Sequence, residues 1–259
     1  MMPLVMVHGF MGGSRQWAEQ TKALSTRYDV VTVDLPGFGE NAHLRAPDTI
    51  AAFASWVLEH LTAQDIVRFH LLGHSMGGMI AQEMVRLAPE RVDQLVLYGT
   101  GATGVLPGRF EPIHISKSRA QTDGPKRTAR RIAATWFLER EAAAGFEGCA
   151  GIAECSSLEA IVAGLNAMEG WNGEGNLAFI ESRTLVIWGD NDRTYPWRQI
   201  EQLWTCIANT SLAVIPNCAH AAHLEKPDLF NSILVDFLDE ATNTAAKVPT
   251  KLEPSAVGS

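Results

Sequence analysis

The sequence predicts an α/β fold, a mostly parallel sheet with helices on both faces and a helical cap inserted into it. Three observations carry that prediction. Short strands, apolar on both faces, alternate with helices over residues 1–101 and again from 180, the pattern of a parallel sheet covered on each side. Between these blocks, from 102 to 179, helical stretches follow one another with no clear strand. At 69–78, F-H-L-L-G-H-S-M-G-G, a buried strand enters a sharp turn and then an apolar helix, with Ser75 at the turn.

In chain order, 3–7 reads as an apolar strand, followed by the glycine-rich loop H-G-F-M-G-G-S at 8–14. This loop lacks the Lys-Ser/Thr ending of a P-loop and the G-x-G-x-x-G spacing of a dinucleotide fold. The competing reading is a backbone N–H turned toward a reacting carbonyl oxygen. His8 ends the strand and is read as a structural histidine bonded to nearby loop backbone. A helix is expected at 17–24 and a strand at 29–34. Asp34 meets a Pro-Gly turn, where a carboxylate bonds backbone N–H groups. Ile50, Phe53, Trp56, Val57 and Leu61 recur at helical spacing.

In the 69–78 segment, Gly73 and Gly77 flank Ser75 at the G-x-S-x-G spacing. A serine held in a strained turn needs neighbours without Cβ, so that strand and helix approach and the hydroxyl stands clear. That context favours a nucleophile over a structural turn. The following helix runs through Leu87, and 94–98 is another buried strand.

Within 102–179 the sequence suggests helices at 125–144 and 157–168. Phe110, Trp136, Phe137, Phe146 and Trp171 are read mainly as packing, with a substrate-facing role open. Arg127, Arg130 and Arg131 read as a solvated helix face, one of which could meet a substrate carboxylate. The sheet resumes at 184–188, with the loop G-D-N-D-R-T-Y-P at 189–196, a helix at 197–207 and a strand at 212–215. The loop P-N-C-A-H-A-A-H-L-E-K-P at 216–227 and an amphipathic helix at 230–238 close the fold. Residues 1–101 and 180–241 are assigned to the core, and 242–259, without apolar periodicity, to a disordered tail.

Composition bounds the function. The 259 residues are 46% hydrophobic and 19% charged, with a formal charge of −8. That balance argues against nucleic acid or an anionic membrane as partner. No apolar run approaches the roughly 18 residues of a membrane span, and no basic leader precedes a long apolar region. The chain is therefore read as cytoplasmic, with a small-molecule substrate. Cys149, Cys155, Cys206 and Cys218 fall in no C-x-x-C spacing, so reduced thiols are expected. Cys218 lies near His220 in sequence but reads as a small apolar residue. The H-x-x-H pair at His220 and His223 lacks an acidic ligand set, and no metal is expected.

With these motifs in view, the chain resembles the α/β-hydrolase superfamily. The matching segments are H-G-F at 8–10, D-L-P-G-F-G at 34–39, G-H-S-M-G-G at 73–78, G-D-N-D-R-T-Y-P at 189–196 and C-A-H-A-A-H-L-E-K-P at 218–227. The resemblance implies a catalytic triad of Ser75 as nucleophile, Asp192 as acid and His220 as base, in the chain order this fold uses. It favours Asp192 over Asp190, a turn-capping residue, and His220 over His223, a structural neighbour. The oxyanion would sit between the backbone N–H groups of Met76 and Phe10, each such donor worth roughly 3 kcal/mol in the transition state. The implied reaction is acyl transfer to water without cofactor or metal, on a small, partly apolar ester or lactone. A second reading is carbon–carbon bond hydrolysis of the meta-cleavage-product type. Those enzymes carry an asparagine before the serine and a tryptophan after the histidine, where this chain has His74 and Ala221. A non-catalytic ligand receptor and haloperoxidase-like perhydrolysis use the same fold. Haloalkane dehalogenation needs an aspartate where Ser75 stands.

Overall fold

A computed structural model describes residues 1–239; the expected tail at 242–259 lies outside them. Six strands form one sheet, β1 (Pro3–Val7), β2 (Asp29–Val33), β3 (Phe69–His74), β4 (Val92–Tyr98), β5 (Arg183–Gly189) and β6 (Thr210–Ile215). Their order is β2-β1-β3-β4-β5-β6 and every pairing is parallel. The sheet is thus parallel throughout the described residues, where the sequence predicted mostly parallel.

The period-2 alternation of a strand explains why these runs are apolar on both faces. Leu4, Met6, Leu72, Val96, Leu185 and Ile187 share one buried cluster with Trp17, Phe230 and Leu234, under α1 (Ala18–Leu24), the short α9 (Ala222–Glu225) and α10 (Pro227–Asp239). Val5, Val7, Leu71, Leu95, Leu97 and Val186 face the other way. They pack with α2 (Ile50–Thr62), α3 (Met76–Leu87) and α8 (Trp197–Cys206). Thr49 caps α2, its Oγ1 accepting from Ala52 N at 3.2 Å. The helix buries Ile50, Phe53, Val57 and Leu61, four of the five positions whose spacing announced it.

The segment between β4 and β5 carries α4 (Ile113–Thr122), α5 (Pro125–Ala134), α6 (Phe146–Ala153) and α7 (Leu158–Glu169). Its ends are tied together, Thr103 bridging Asn172 and Gly173 N donating to Ala102 O at 2.8 Å. The stretch read as a helix over 157–168 is α7, which Ser157 caps by accepting from Ala160 N through Oγ at 3.1 Å. The helix expected over 125–144 stops at Ala134 instead, and α4 and α6 carried too weak an apolar pattern to be read. The stop has a physical reason. Trp136 O accepts from Ala221 N at 2.8 Å, and the Arg193 guanidinium donates to Phe137 O and Leu138 O at 2.8 and 3.1 Å. Leu138 N donates to Glu225 Oε1 at 2.7 Å. Backbone groups that a longer helix would pair internally instead hold the loops after β5 and β6.

The arginines of α5 also differ from one solvated face. Arg127 is exposed, but Arg130 pairs with Glu147 and Glu154. Arg131 bonds Glu111, a carboxylate only 6% exposed, at 3.0 and 3.2 Å. Among the described residues no single helix is long and apolar enough to cross a membrane.

Candidate active site

Ser75 occupies the junction of β3 and α3 with φ +57° and ψ −120°, a conformation that costs a non-glycine residue on the order of 1–3 kcal/mol. The turn survives because close approach surrounds it. A Cβ on Gly77 would lie 2.3 Å from Val7 O, and one on Gly73 would lie 2.3 Å from Gly77 O. The steric role expected for these glycines is what the packing requires. Ser75 N donates to Tyr98 O at 2.9 Å and Thr100 Oγ1 donates to Ser75 O at 2.7 Å, fixing the turn from its neighbour strand.

Asp192 lies in the loop after β5. Its Oδ1 accepts from Thr194 N at 2.7 Å and Tyr195 N at 3.2 Å, which turns Oδ2 toward His220. His220 Nδ1 donates to that oxygen at 2.8 Å, with the imidazole 2% and the carboxylate 0% exposed. His220 and Ser75 line one cavity, together with Phe10 from the loop after β1. The backbone N–H groups of Phe10 and Met76 donate to no group among the described residues. Met76 opens α3, where the N–H groups have no intrahelical acceptor. The site sits at the carboxyl ends of β1, β3, β5 and β6, the usual crevice of an open α/β sheet. Asp190 stands apart, accepting from Asn191 Nδ2 at 2.6 Å and weakly from Cys218 N at 3.4 Å.

Three buried histidines around the site, His8, His74 and His223, are held in defined tautomers. His8 Nδ1 donates to Gly9 O at 2.7 Å and its Nε2 accepts from Leu35 N at 3.0 Å, the backbone role expected of it. Asp34 differs in detail, accepting from Ser14 N at 2.8 Å rather than from its own turn. Tyr98 OH donates to His220 O at 2.7 Å and accepts from His223 N at 3.2 Å. With its one proton so used, His223 Nδ1, 3.0 Å away, must donate to the phenol. Its Nε2 is then a bare acceptor with no partner among the described residues.

His74 was not singled out by any motif beyond its place beside Ser75. In the structure its Nε2 donates to His220 O at 3.1 Å, a second clamp on that carbonyl, while Nδ1 accepts from Gln16 Nε2 at 3.5 Å. Four rings follow one another: Tyr98 and His74 at 4.4 Å, His74 and His220 at 4.5 Å, His220 and Tyr195 at 5.6 Å. His220 is therefore flanked by His74 and Tyr195, residues 146 and 25 positions away. Only the fold brings them together.

Burial depresses the basicity of the structural histidines: His8 to about 4 and His223 to about 3, with His74 well below 6.5. The nearby imidazoles of His220 and His223 push His74 further in the same direction. In the unfolded chain each of these rings takes up its proton near 6.5. Between that value and the native one the unfolded state binds more protons, so stability is fully present above pH 6.5 and is lost as pH falls. His8, lowered by its burial, contributes to this loss. Urea midpoints are expected to fall steeply from pH 6.5 to 4, and more gently in His8→Gln. A flat profile over that window would contradict the buried, neutral assignment.

Burial also pushes the Cys149 and Cys218 thiols up to about 12, so neither is a thiolate nucleophile. All four cysteines are free. Among the described residues no group of three His, Cys, Asp or Glu side chains is placed to hold a metal ion.

The model of the Alpha/beta hydrolase family matches residues 4–233. A protein named putative carbamate hydrolase RutD from Pseudomonas savastanoi is 28% identical over 245 residues, covering 92% of this chain and 94% of its own. A 2-hydroxy-6-oxononadienedioate/2-hydroxy-6-oxononatrienedioate hydrolase from Escherichia coli is 28% identical over 260 residues, covering 92% and 87%. The crystal structure of the enol-lactonase from Burkholderia xenovorans superposes with a TM-score of 0.83 at 25% identity, over 92% of each chain.

Proposed function

The chain belongs to the alpha/beta hydrolase family, and from that premise we propose that it is a serine hydrolase transferring an acyl group to water. Ser75 is the nucleophile, His220 the base and Asp192 the group that orients the imidazole. The observation that carries this reading is the buried 2.8 Å bond between His220 Nδ1 and Asp192 Oδ2, beside the strained Ser75 on one cavity wall. A serine hydroxyl attacks only when a base removes its proton, and Nε2 is free to do so when Nδ1 carries the ring's proton. The oxyanion is received by Phe10 N–H and Met76 N–H. Met76 adds the favourable field of a helix N-terminus.

Residues 102–179 act as a cap over the core formed by 1–101 and 180–241, the last two of which lie outside the described residues. In support, Leu106, Ile132, Trp136 and Met168 line the cavity that Ser75 faces.

The substrate we favour is a small ester or lactone. Relatives named for carbamates, an enol-lactone and oxo-dienedioates share the demand for attack at a carbonyl. Carbon–carbon hydrolysis is the second reading, favoured by the oxononadienedioate hydrolase relative. Against it, His74 commits both ring nitrogens to Gln16 and the His220 carbonyl, leaving no side-chain donor for the substrate at the position before Ser75. A panel of nitrophenyl esters, a lactone and a vinylogous diketone acid separates the two. Turnover confined to the diketone acid would replace the first reading by the second. A serine-directed phosphonate is expected to label Ser75; binding of substrates without labelling or turnover would indicate a receptor.

A further inference from the structure

Arg109 lies half-buried on the wall of the cavity that holds Ser75 and His220. Its guanidinium lies over the Phe110 ring, 4.4 Å from the centroid. One nitrogen, Nη1, donates to Glu111 O and to Ser116 Oγ. Nε and Nη2 donate to no group among the described residues, and no carboxylate pairs with this arginine. The nearest candidate, Glu111, is already taken. Its two oxygens accept from Arg119 at 2.6 Å, from Arg131 at 3.0 and 3.2 Å and from Ser116 Oγ at 2.6 Å. Two guanidinium groups, those of Arg119 and Arg131, thus share this carboxylate, and Arg109 is left without it.

An arginine is seldom withdrawn from water without a counter-charge, because desolvating the charge is costly. Here burial is the main influence lowering its pKa from the ordinary value, with Arg131 acting the same way and Tyr195 and Glu111 partly opposing. Tyr195 fixes which end of the cavity this is. Its ring stacks on His220, and its hydroxyl feels both Ser75 and Arg109. A second polar atom on the same wall, Thr194 Oγ1, is buried and has no partner among the described residues. The rest of the lining near Arg109 is apolar, with Leu106, Phe110 and Ile132.

We propose that Arg109 is a specificity residue that receives a carboxylate carried by the substrate, so that the preferred substrates are monoesters or lactones of dicarboxylic acids. This rests on Ser75 being the nucleophile. The planar fork of a guanidinium matches the two oxygens of a carboxylate, and its apolar surroundings reject a neutral chain less than they reward an anion that fills the missing partner. The substrate's carboxylate is bound and not transformed; only its ester carbonyl is attacked.

The test compares nitrophenyl monoesters of C4 to C6 dicarboxylic acids with neutral nitrophenyl esters of the same chain length. In the wild type, kcat/KM is expected to favour the anionic ester by about 10- to 100-fold at one of these lengths, the scale of one buried ion-paired contact. In Arg109→Gln that ratio should fall toward one, chiefly through KM for the anionic ester, and Arg109→Lys should lie between. Glutarate, titrated calorimetrically, should bind the wild type at least about tenfold more tightly than Arg109→Gln. A wild-type ratio near one at every length overturns the proposal, as does a ratio or a glutarate affinity that Arg109→Gln leaves unchanged. Should Arg109→Gln not fold, the wild-type ratio and Arg109→Lys decide. Failure of the underlying reading looks different: neither ester turns over and phosphonate does not label Ser75, while glutarate binding still reports on Arg109.

Discussion

Ser75→Ala is expected to lower kcat for ester hydrolysis by on the order of 10⁴- to 10⁶-fold, the range for removing the nucleophile of a triad that acts as a unit. The fold should be untouched. The change deletes one oxygen, which makes no hydrogen bond to the turn that carries it; the turn is held by Ser75 N, Ser75 O and the packed glycines. The unfolding midpoint should stay the same or rise slightly, since strained catalytic positions trade stability for activity. Steady-state kinetics and thermal unfolding on the same preparation check both halves. Turnover retained within tenfold by a folded Ser75→Ala protein would mean that another group attacks.

Asp192→Asn is expected to cost about 10⁴-fold in kcat, or about 5.5 kcal/mol of transition-state stabilisation at about 1.4 kcal/mol per decade. The direction follows from which oxygen does what. Oδ1 is held by Thr194 N and Tyr195 N, and an asparagine would keep its oxygen there because those N–H groups need an acceptor. Its NH₂ would then face His220 Nδ1, which must shed its proton to accept. The ring proton moves to Nε2, the nitrogen that has to receive the Ser75 proton, and the base is blocked by its own hydrogen. Asp190→Asn is the matched control. Its carboxylate bonds Asn191 and Cys218 N and meets neither imidazole nor serine, so its kcat should stay within about tenfold of wild type. Equal losses in the two variants would dissolve the argument from Oδ1 and Oδ2.

The parts of the fold that could be read from residues alone are those governed by near neighbours. Both-face apolar runs mark β1, β3, β4 and β5, and the 3.6-residue spacing from Ile50 to Leu61 marks α2. The elbow is local too, because the glycines that relieve it sit two positions on either side of Ser75. Helix ends in the 102–179 segment were less legible. α5 stops at Ala134 because residues 136–138 give their backbone groups to Ala221, Arg193 and Glu225, partners more than 50 positions away. The arginine reading shows the same limit. Sequence offered Arg127, Arg130 and Arg131 as a group, whereas pairing with Glu111, Glu147 and Glu154 leaves Arg109, which no pattern marked, as the unpaired charge on the cavity wall.

By itself, then, the sequence determined the class of sheet and the turn at Ser75, and through its motifs it proposed a carboxylate and an imidazole to set beside that serine, since each is written in residues within a few positions of one another. Only the tertiary structure decided which side chains surround the imidazole: His74 and Tyr98 clamping its carbonyl, Tyr195 on its ring, Arg109 across the cavity. The reason is that hydrogen bonds and ion pairs depend on separations of about 3 Å in space, and the parallel sheet brings those residues to His220 from 25 to 146 positions along the chain.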